Sequence, residues 1–207
     1  MHMTDWLCHY LKKMICKERK LLFLHPHRNG GKSIEDAIFN IKPRFGTSCH
    51  KPIAQHIKEG IDINSYYTFM FCRNPWDRAV SLWSWYGKYT FNDFVRKLVK
   101  GKIQKHRHFV IECPQQLDWI GKPTSKIIKL DFLGRFENYQ EDFNKLCKNL
   151  DMDLKLPHHN TRNKIKGPGH YPHKYYSTYY NDESYELITK AFSEDIKYFG
   201  YKFEENA

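Results

Sequence analysis

The stretch Leu21-Leu22-Phe23-Leu24-His25-Pro26-His27-Arg28-Asn29-Gly30-Gly31-Lys32-Ser33-Ile34 restricts the fold more than any other part of the chain. A short apolar run ends in a basic turn carrying two adjacent glycines. Helical spacing starts at once, with Ile34, Ala37, Ile38 and Ile41 at i, i+3, i+4 and i+7. A strand, a glycine turn and a helix start together make a grip for a phosphate. Glycines let backbone N–H groups approach an anion, and the helix N-terminus adds partial positive charge. The plain alternative is a tight strand-to-helix turn with no ligand.

Gly31-Lys32-Ser33 fits the end of the nucleotide motif G-x-x-x-x-G-K-[ST], but Pro26 stands where its first glycine belongs. A P-loop kinase or NTPase is therefore kept as an alternative, with its turn-forming residue missing. A second segment shifts the balance. Tyr66 to Phe71 reads as a strand and runs into Cys72-Arg73-Asn74-Pro75-Trp76-Asp77-Arg78-Ala79-Val80-Ser81. Pro75 suits the first turn of a helix. Arg73 then falls at the strand end and Ser81 inside the helix, where both could meet a second anion. A guanidinium fork fits phosphate geometry better than a point charge.

The two segments together resemble the sulfotransferase family, and within it the branch acting on carbohydrates. In that family the first loop reads like His-Ile-Pro-Lys-Thr-Gly-Gly-Thr-Ser and the second like Arg-Asn-Pro-x-Asp-Arg-x-x-Ser. Arg73, Asn74, Pro75, Asp77, Arg78 and Ser81 all fit the second. The likeness continues through His108-Phe109, Pro114-Gln115, Asp118-Trp119-Ile120, Arg135-Phe136-Glu137-Asn138 with Glu141-Asp142-Phe143, Leu156-Pro157-His158-His159-Asn160, and Asp195-Ile196 with Phe199-Gly200-Tyr201. It spans about Leu21 to Phe203. The first loop departs from the pattern at Arg28, Asn29 and Lys32, where Lys, Thr and Thr are usual.

The resemblance implies a donor, 3′-phosphoadenosine 5′-phosphosulfate (PAPS), an acceptor hydroxyl, in-line displacement and no metal. It places the 5′-phosphate on Arg28, Asn29, Gly30, Gly31, Lys32 and Ser33, and the 3′-phosphate on Arg73 and Ser81. Arg28 cannot readily give up a proton. Arg28 and Lys32 are accordingly expected to offset charge on the bridging oxygen. A base must take the hydroxyl proton, and histidine suits that task. Of the 12 histidines, His50 lies between the two motifs, where related enzymes often carry a catalytic histidine. His56 is the runner-up, and His25 is expected to be structural. The pairs His106/His108, His158/His159 and His170/His173 lack carboxylate or cysteine partners at metal-ligand spacing. Arg135 and Glu137 are expected as a buried ion pair, and Trp83, Trp85 and Tyr86 as core.

The formal charge of +11 favours anionic partners: the donor, an acidic glycan, a membrane surface or nucleic acid. A non-catalytic basic binder of acidic glycan or nucleic acid is the third reading, disfavoured because charge alone requires neither ordered motif. The cysteines at 8, 16, 49, 72, 113 and 147 form no C-x-x-C pair, which fits a reducing compartment. Residues 1–20 are expected to form an amphipathic helical extension, too short and broken for an anchor. These points suggest a cytoplasmic protein, or alternatively a catalytic domain trimmed from a Golgi-type protein.

Further helical stripes fall at Phe91, Phe94, Val95 and Leu98; at Phe143, Leu146, Cys147 and Leu150; and at Tyr185, Ile188, Phe192 and Ile196. Ile127, Ile128 and Leu130 suggest a third strand continuing towards Phe132. Residues 160–180 read as a basic aromatic loop that could close over the donor. Alternating strands and helices predict one α/β domain over 21–207, a P-loop-like three-layer α/β/α fold with a mainly parallel sheet.

Overall fold

The computed structural model describes residues 14–41, 50–87, 89–101, 103, 115–121, 127–157 and 175–204. Among them are four strands and seven α-helices: β1 (Ile15–Cys16), β2 (Leu21–Leu24), α1 (Gly31–Phe39), α2 (Ile53–Lys58), β3 (Tyr67–Cys72), α3 (Pro75–Tyr86), α4 (Phe91–Val99), β4 (Phe132–Arg135), α5 (Tyr139–Asn149), α6 (Asp182–Ala191) and α7 (Ser193–Phe199). The chain divides into two compact units. One comprises Met1–Cys72 with Gln116–His159, the other Arg73–Gln115 with Asn160–Ala207.

The first unit holds the sheet, in the order β1-β2-β3-β4. Its pairings are of both kinds, so the sheet is mixed. β2 with β3 and β3 with β4 run parallel, with Phe23 opposite Phe69 and Phe69 opposite Phe132. β1 runs antiparallel to β2. The reason is connection length: the few residues of the turn Lys17–Lys20 can only reverse the chain, whereas parallel neighbours need a long crossover. Of the first twenty residues, 1–13 lie outside the described set, and 14–20 form this strand and turn.

β2 and β3 are buried along nearly their whole length. The Phe23 ring stacks on Phe69 at 5.0 Å and on Phe39 at 6.3 Å. Ile34, Phe143 and Leu146 close the same core with no exposed surface. The α1 stripe was legible from its spacing, though Phe39 replaces Ile41 as its last fully buried member. The third strand begins later than the apolar residues suggest. Residues 127–130 are irregular, and Asp131 opens the pairing: its N–H donates to Thr68 O at 2.9 Å and its carboxylate accepts from Thr68 N at 2.7 Å. The strand itself is Phe132–Arg135. At its end the Asp142 carboxylate accepts from Arg135 N at 2.8 Å, which pins the first turn of α5 to β4.

The second unit is helical among its described residues. Trp76, Val80, Trp83, Phe91, Phe94, Val95, Leu98, Ile188 and Phe192 form its core. Trp83 is core, as its surroundings in the sequence suggest, and its indole N–H donates to Tyr89 O at 2.8 Å. Thr90 caps α4, and Asn181 and Ser184 form a reciprocal capping box on α6. The last predicted helix is two helices, because the chain leaves helical geometry at Phe192 (φ −113°, ψ 23°). The loop expected over 160–180 falls mostly outside the described residues; Tyr176–Tyr179 form a 3₁₀ turn. No helix among the described residues is long and apolar enough to cross a membrane.

Candidate functional site

In the first unit, β2 hands over to α1 through a turn bent by two residues in the left-handed region, Arg28 (φ 71°) and Gly30 (φ 82°). Gly30 is the N-cap of α1 and brings no side chain to it, and the first turn of the helix carries no acid. The leading N–H groups of a helix have no carbonyl four residues back within it, although that of Ser33 turns back to Gly30 O. Together with Arg28 and Lys32 they form a basic end suited to an anion.

Both glycines are demanded by close approach. A Cβ on Gly31 would lie 1.9 Å from His25 Nε2, and one on Gly30 would lie 2.7 Å from the Tyr139 ring. Gly31 therefore lets the His25 ring lie against the helix start. His25 Nδ1 meets Glu35 Oε1 at 2.8 Å, both residues being buried. Lys32 Nζ stands 3.8 Å from the other Glu35 oxygen. Glu35 thus links the buried His25 ring to Lys32.

Asn29 is turned inward. Its Nδ2 donates to Phe71 O at 2.8 Å and to Gln116 Oε1 at 2.6 Å, so the turn is moored to β3. Its Oδ1 is buried with no hydrogen-bond partner among the described residues. Ser33 is also buried, and its N–H donates to Gly30 O at 3.0 Å.

His50 comes to this turn from 25 positions away. Its Nδ1 donates to His25 O at 2.9 Å. A carbonyl can only accept, so Nδ1 carries the proton and Nε2 the lone pair. The His50 ring packs on His27 with centroids 3.7 Å apart and on His25 at 4.4 Å, and Trp119 stands edge-on to His27 and His50. Burial, then the imidazoles of His25 and His27, holds the His50 pKa far below the ordinary 6.5; Lys32 acts in the same direction, against the bond to His25 O. His50 is neutral at physiological pH. The runner-up, His56, is buried in α2.

His27, Trp119 and Tyr139 were not foreseen as parts of this cluster. His27 had a local signal, since it sits two residues from His25 in the same turn. Trp119 and Tyr139 had none. Among the described residues no group of three or more His, Cys, Asp or Glu side chains could hold a metal ion. The pairs at 106/108, 158/159 and 170/173 lie outside them.

In the second unit the Arg-Asn-Pro motif has a local mechanical explanation. Asn74 Oδ1 accepts from Trp76 N at 3.0 Å and Asp77 N at 3.4 Å, and Pro75 occupies the first turn of α3. Arg73 Nε donates to Asp77 Oδ2 at 2.8 Å, which commits one edge of the guanidinium and aims the rest. Ser81 and Arg78 lie buried on α3. Asn74 Nδ2 reaches Lys202 O at 3.1 Å. Of the two residues expected as a buried ion pair, Arg135 is half-buried at the end of β4 and Glu137 is exposed on the 3₁₀ turn that follows.

A model of the sulfotransferase family matches residues 44–202, which include the Arg73 motif but begin after the glycine turn. An uncharacterized protein of Archaeoglobus fulgidus is 32% identical over 95 residues, covering 45% of this chain and 74% of that protein. No solved structure matches.

Proposed function

The chain belongs to the sulfotransferase family, and from that premise we propose that it moves a sulfuryl group from PAPS to a hydroxyl, with carbohydrate as the acceptor class. The observation that carries the reading is the family match over residues 44–202, a span that contains the motif residues Arg73, Asn74, Pro75, Asp77, Arg78 and Ser81. The glycine-capped, acid-free start of α1 and the two glycines packed too tightly to bear a Cβ fit the phosphate end of such a donor. The acceptor class rests on the resemblance of the motifs to the carbohydrate branch.

PAPS supplies a sulfuryl group activated as a phosphosulfate anhydride. The N–H groups at the start of α1 and residues 28–33 hold its 5′-phosphate end. Arg28 and Lys32 offset the charge that grows on the bridging oxygen as its bond to sulfur breaks. Arg73, aimed by Asp77, and Ser81 hold the 3′-phosphate. His50 Nε2 takes the acceptor proton as the new oxygen–sulfur bond forms. A neutral histidine of low proton affinity is a weak base on its own. A doubly phosphorylated donor brings negative charge, which raises that affinity when it is needed. Catalysis is then chiefly positioning and charge stabilisation, as in phosphoryl transfer.

A thermal-shift comparison tests the donor. At about a hundredfold excess over its dissociation constant, adenosine 3′,5′-bisphosphate should raise Tm by roughly 5–10 °C, and ADP with magnesium by much less. Equal shifts, or none with the bisphosphate, would reject the donor assignment.

A further inference from the structure

The geometry points to Tyr139 as a positioning residue that sets the glycine turn for the 5′-phosphate end of the donor, an inference that rests on the function proposed above. Tyr139 is the first residue of α5, lies 109 positions from Gly30, and belongs to none of the motifs that suggested a donor site. Its hydroxyl donates to Gly30 O at 2.6 Å. Its ring stands edge-on to Phe71 and packs on Phe136, both at 5.4 Å. The absence of a Cβ on Gly30 makes room for that ring.

The hydroxyl is shared. The Ser33 side chain also hydrogen-bonds it. A phenol has one proton, and here the Gly30 carbonyl takes it, so Ser33 Oγ must be the donor to Tyr139. Burial keeps the phenol protonated well above the ordinary tyrosine range, with the Ser33 bond acting against that shift and Glu35 adding to it. Tyr139 thus stays a donor at every pH of interest. One side chain fixes the carbonyl of the left-handed residue and the hydroxyl two residues into α1. Asp142, one turn further along α5, anchors the helix to β4 through Arg135 N, so the phenol is held by a rigid element rather than by a loop.

The role is local to one end of the nucleotide, which makes it separable from a general effect on folding. Tyr139→Phe keeps the ring and its packing and removes only the hydroxyl. Calorimetric titration of the full chain with adenosine 3′,5′-bisphosphate and, separately, with 3′-AMP gives the test. The expected result is a three- to tenfold loss of affinity for the bisphosphate, roughly the net worth of one hydrogen bond, with 3′-AMP affinity unchanged. In transfer assays the loss should appear in the donor KM and not in kcat. Tyr139→Met, which keeps the apolar contact, should reproduce the pattern. Unchanged bisphosphate affinity in both variants, or equal losses for the two nucleotides, would overturn the role of Tyr139 while leaving the donor assignment intact. Failure of the wild-type chain to bind either nucleotide would instead overturn the donor assignment and this inference with it.

Discussion

His50 Nδ1 donates to the backbone oxygen of His25 at 2.9 Å, which fixes the tautomer of His50 and leaves Nε2 as its proton acceptor. The ring is placed by a main-chain atom of the same turn that carries Arg28 and Asn29, so His50 and the glycine turn are positioned by one piece of backbone. His50→Ala should lower kcat for transfer by about 10²–10⁴, the usual worth of a general base, while adenosine 3′,5′-bisphosphate still binds. Single-turnover rates together with nucleotide titration check this. Full activity in the variant would move the base elsewhere.

The depressed pKa of His50 has a signed consequence for stability. In the unfolded chain the imidazole binds a proton near pH 6.5, whereas in the folded chain it resists protonation to far lower pH. Its contribution is therefore complete above pH 6.5 and is lost as pH falls below that value, at up to about 1.4 kcal/mol per pH unit. Urea midpoints at about pH 5 and about pH 8 should differ more for the wild type than for His50→Gln. Equal pH dependence in the two proteins would show that His50 is not held neutral.

Gly31→Ala should be destabilising out of proportion to its size. The added methyl would sit 1.9 Å from His25 Nε2, and that ring is held by buried Glu35. Overpacking of this kind costs about 1–3 kcal/mol, or roughly 2–10 °C in Tm. Combining it with His25→Ala should recover part of the loss, because the obstructing ring is then gone. A Gly31→Ala protein as stable as wild type would contradict the close packing of the turn.

Arg73→Ala should abolish the preference for adenosine 3′,5′-bisphosphate over 5′-AMP, with roughly a tenfold or greater loss for the former, since charge-assisted bonds contribute about 1.5–3 kcal/mol. Asp77→Asn should give a smaller loss in the same direction, because it weakens the bond that aims the guanidinium. Competition binding with the two nucleotides separates these outcomes. Retained discrimination in Arg73→Ala would place the 3′-phosphate elsewhere.

What could be read from the chain alone was what local chemistry dictates. The glycine turn, the proline at the start of α3, the buried face of α4 and the strand before Arg73 all follow from short-range pattern, and the structure has them within a residue or so. The third strand was displaced because Ile127 and Ile128 look like strand residues, yet pairing starts where Asp131 meets Thr68. The antiparallel β1 was hidden in a segment whose spacing suggested a helix. Arg28, Lys32 and His50 were singled out by residue type and order, and the structure brings His50 to the turn that carries the other two. Tyr139 on Gly30, Gln116 on Asn29 and Trp119 against His50 are contacts between residues 109, 87 and about 70 positions apart. No periodicity encodes such a meeting, which only the folded sheet brings about.

The most direct test of the account is transfer of radiolabelled sulfate from PAPS to a panel of glycans and small alcohols, with His50→Ala as the control. Label is expected on at least one hydroxyl-bearing acceptor, carbohydrates first, and is expected to be lost in the variant. Label that stays on the nucleotide with every acceptor would contradict it.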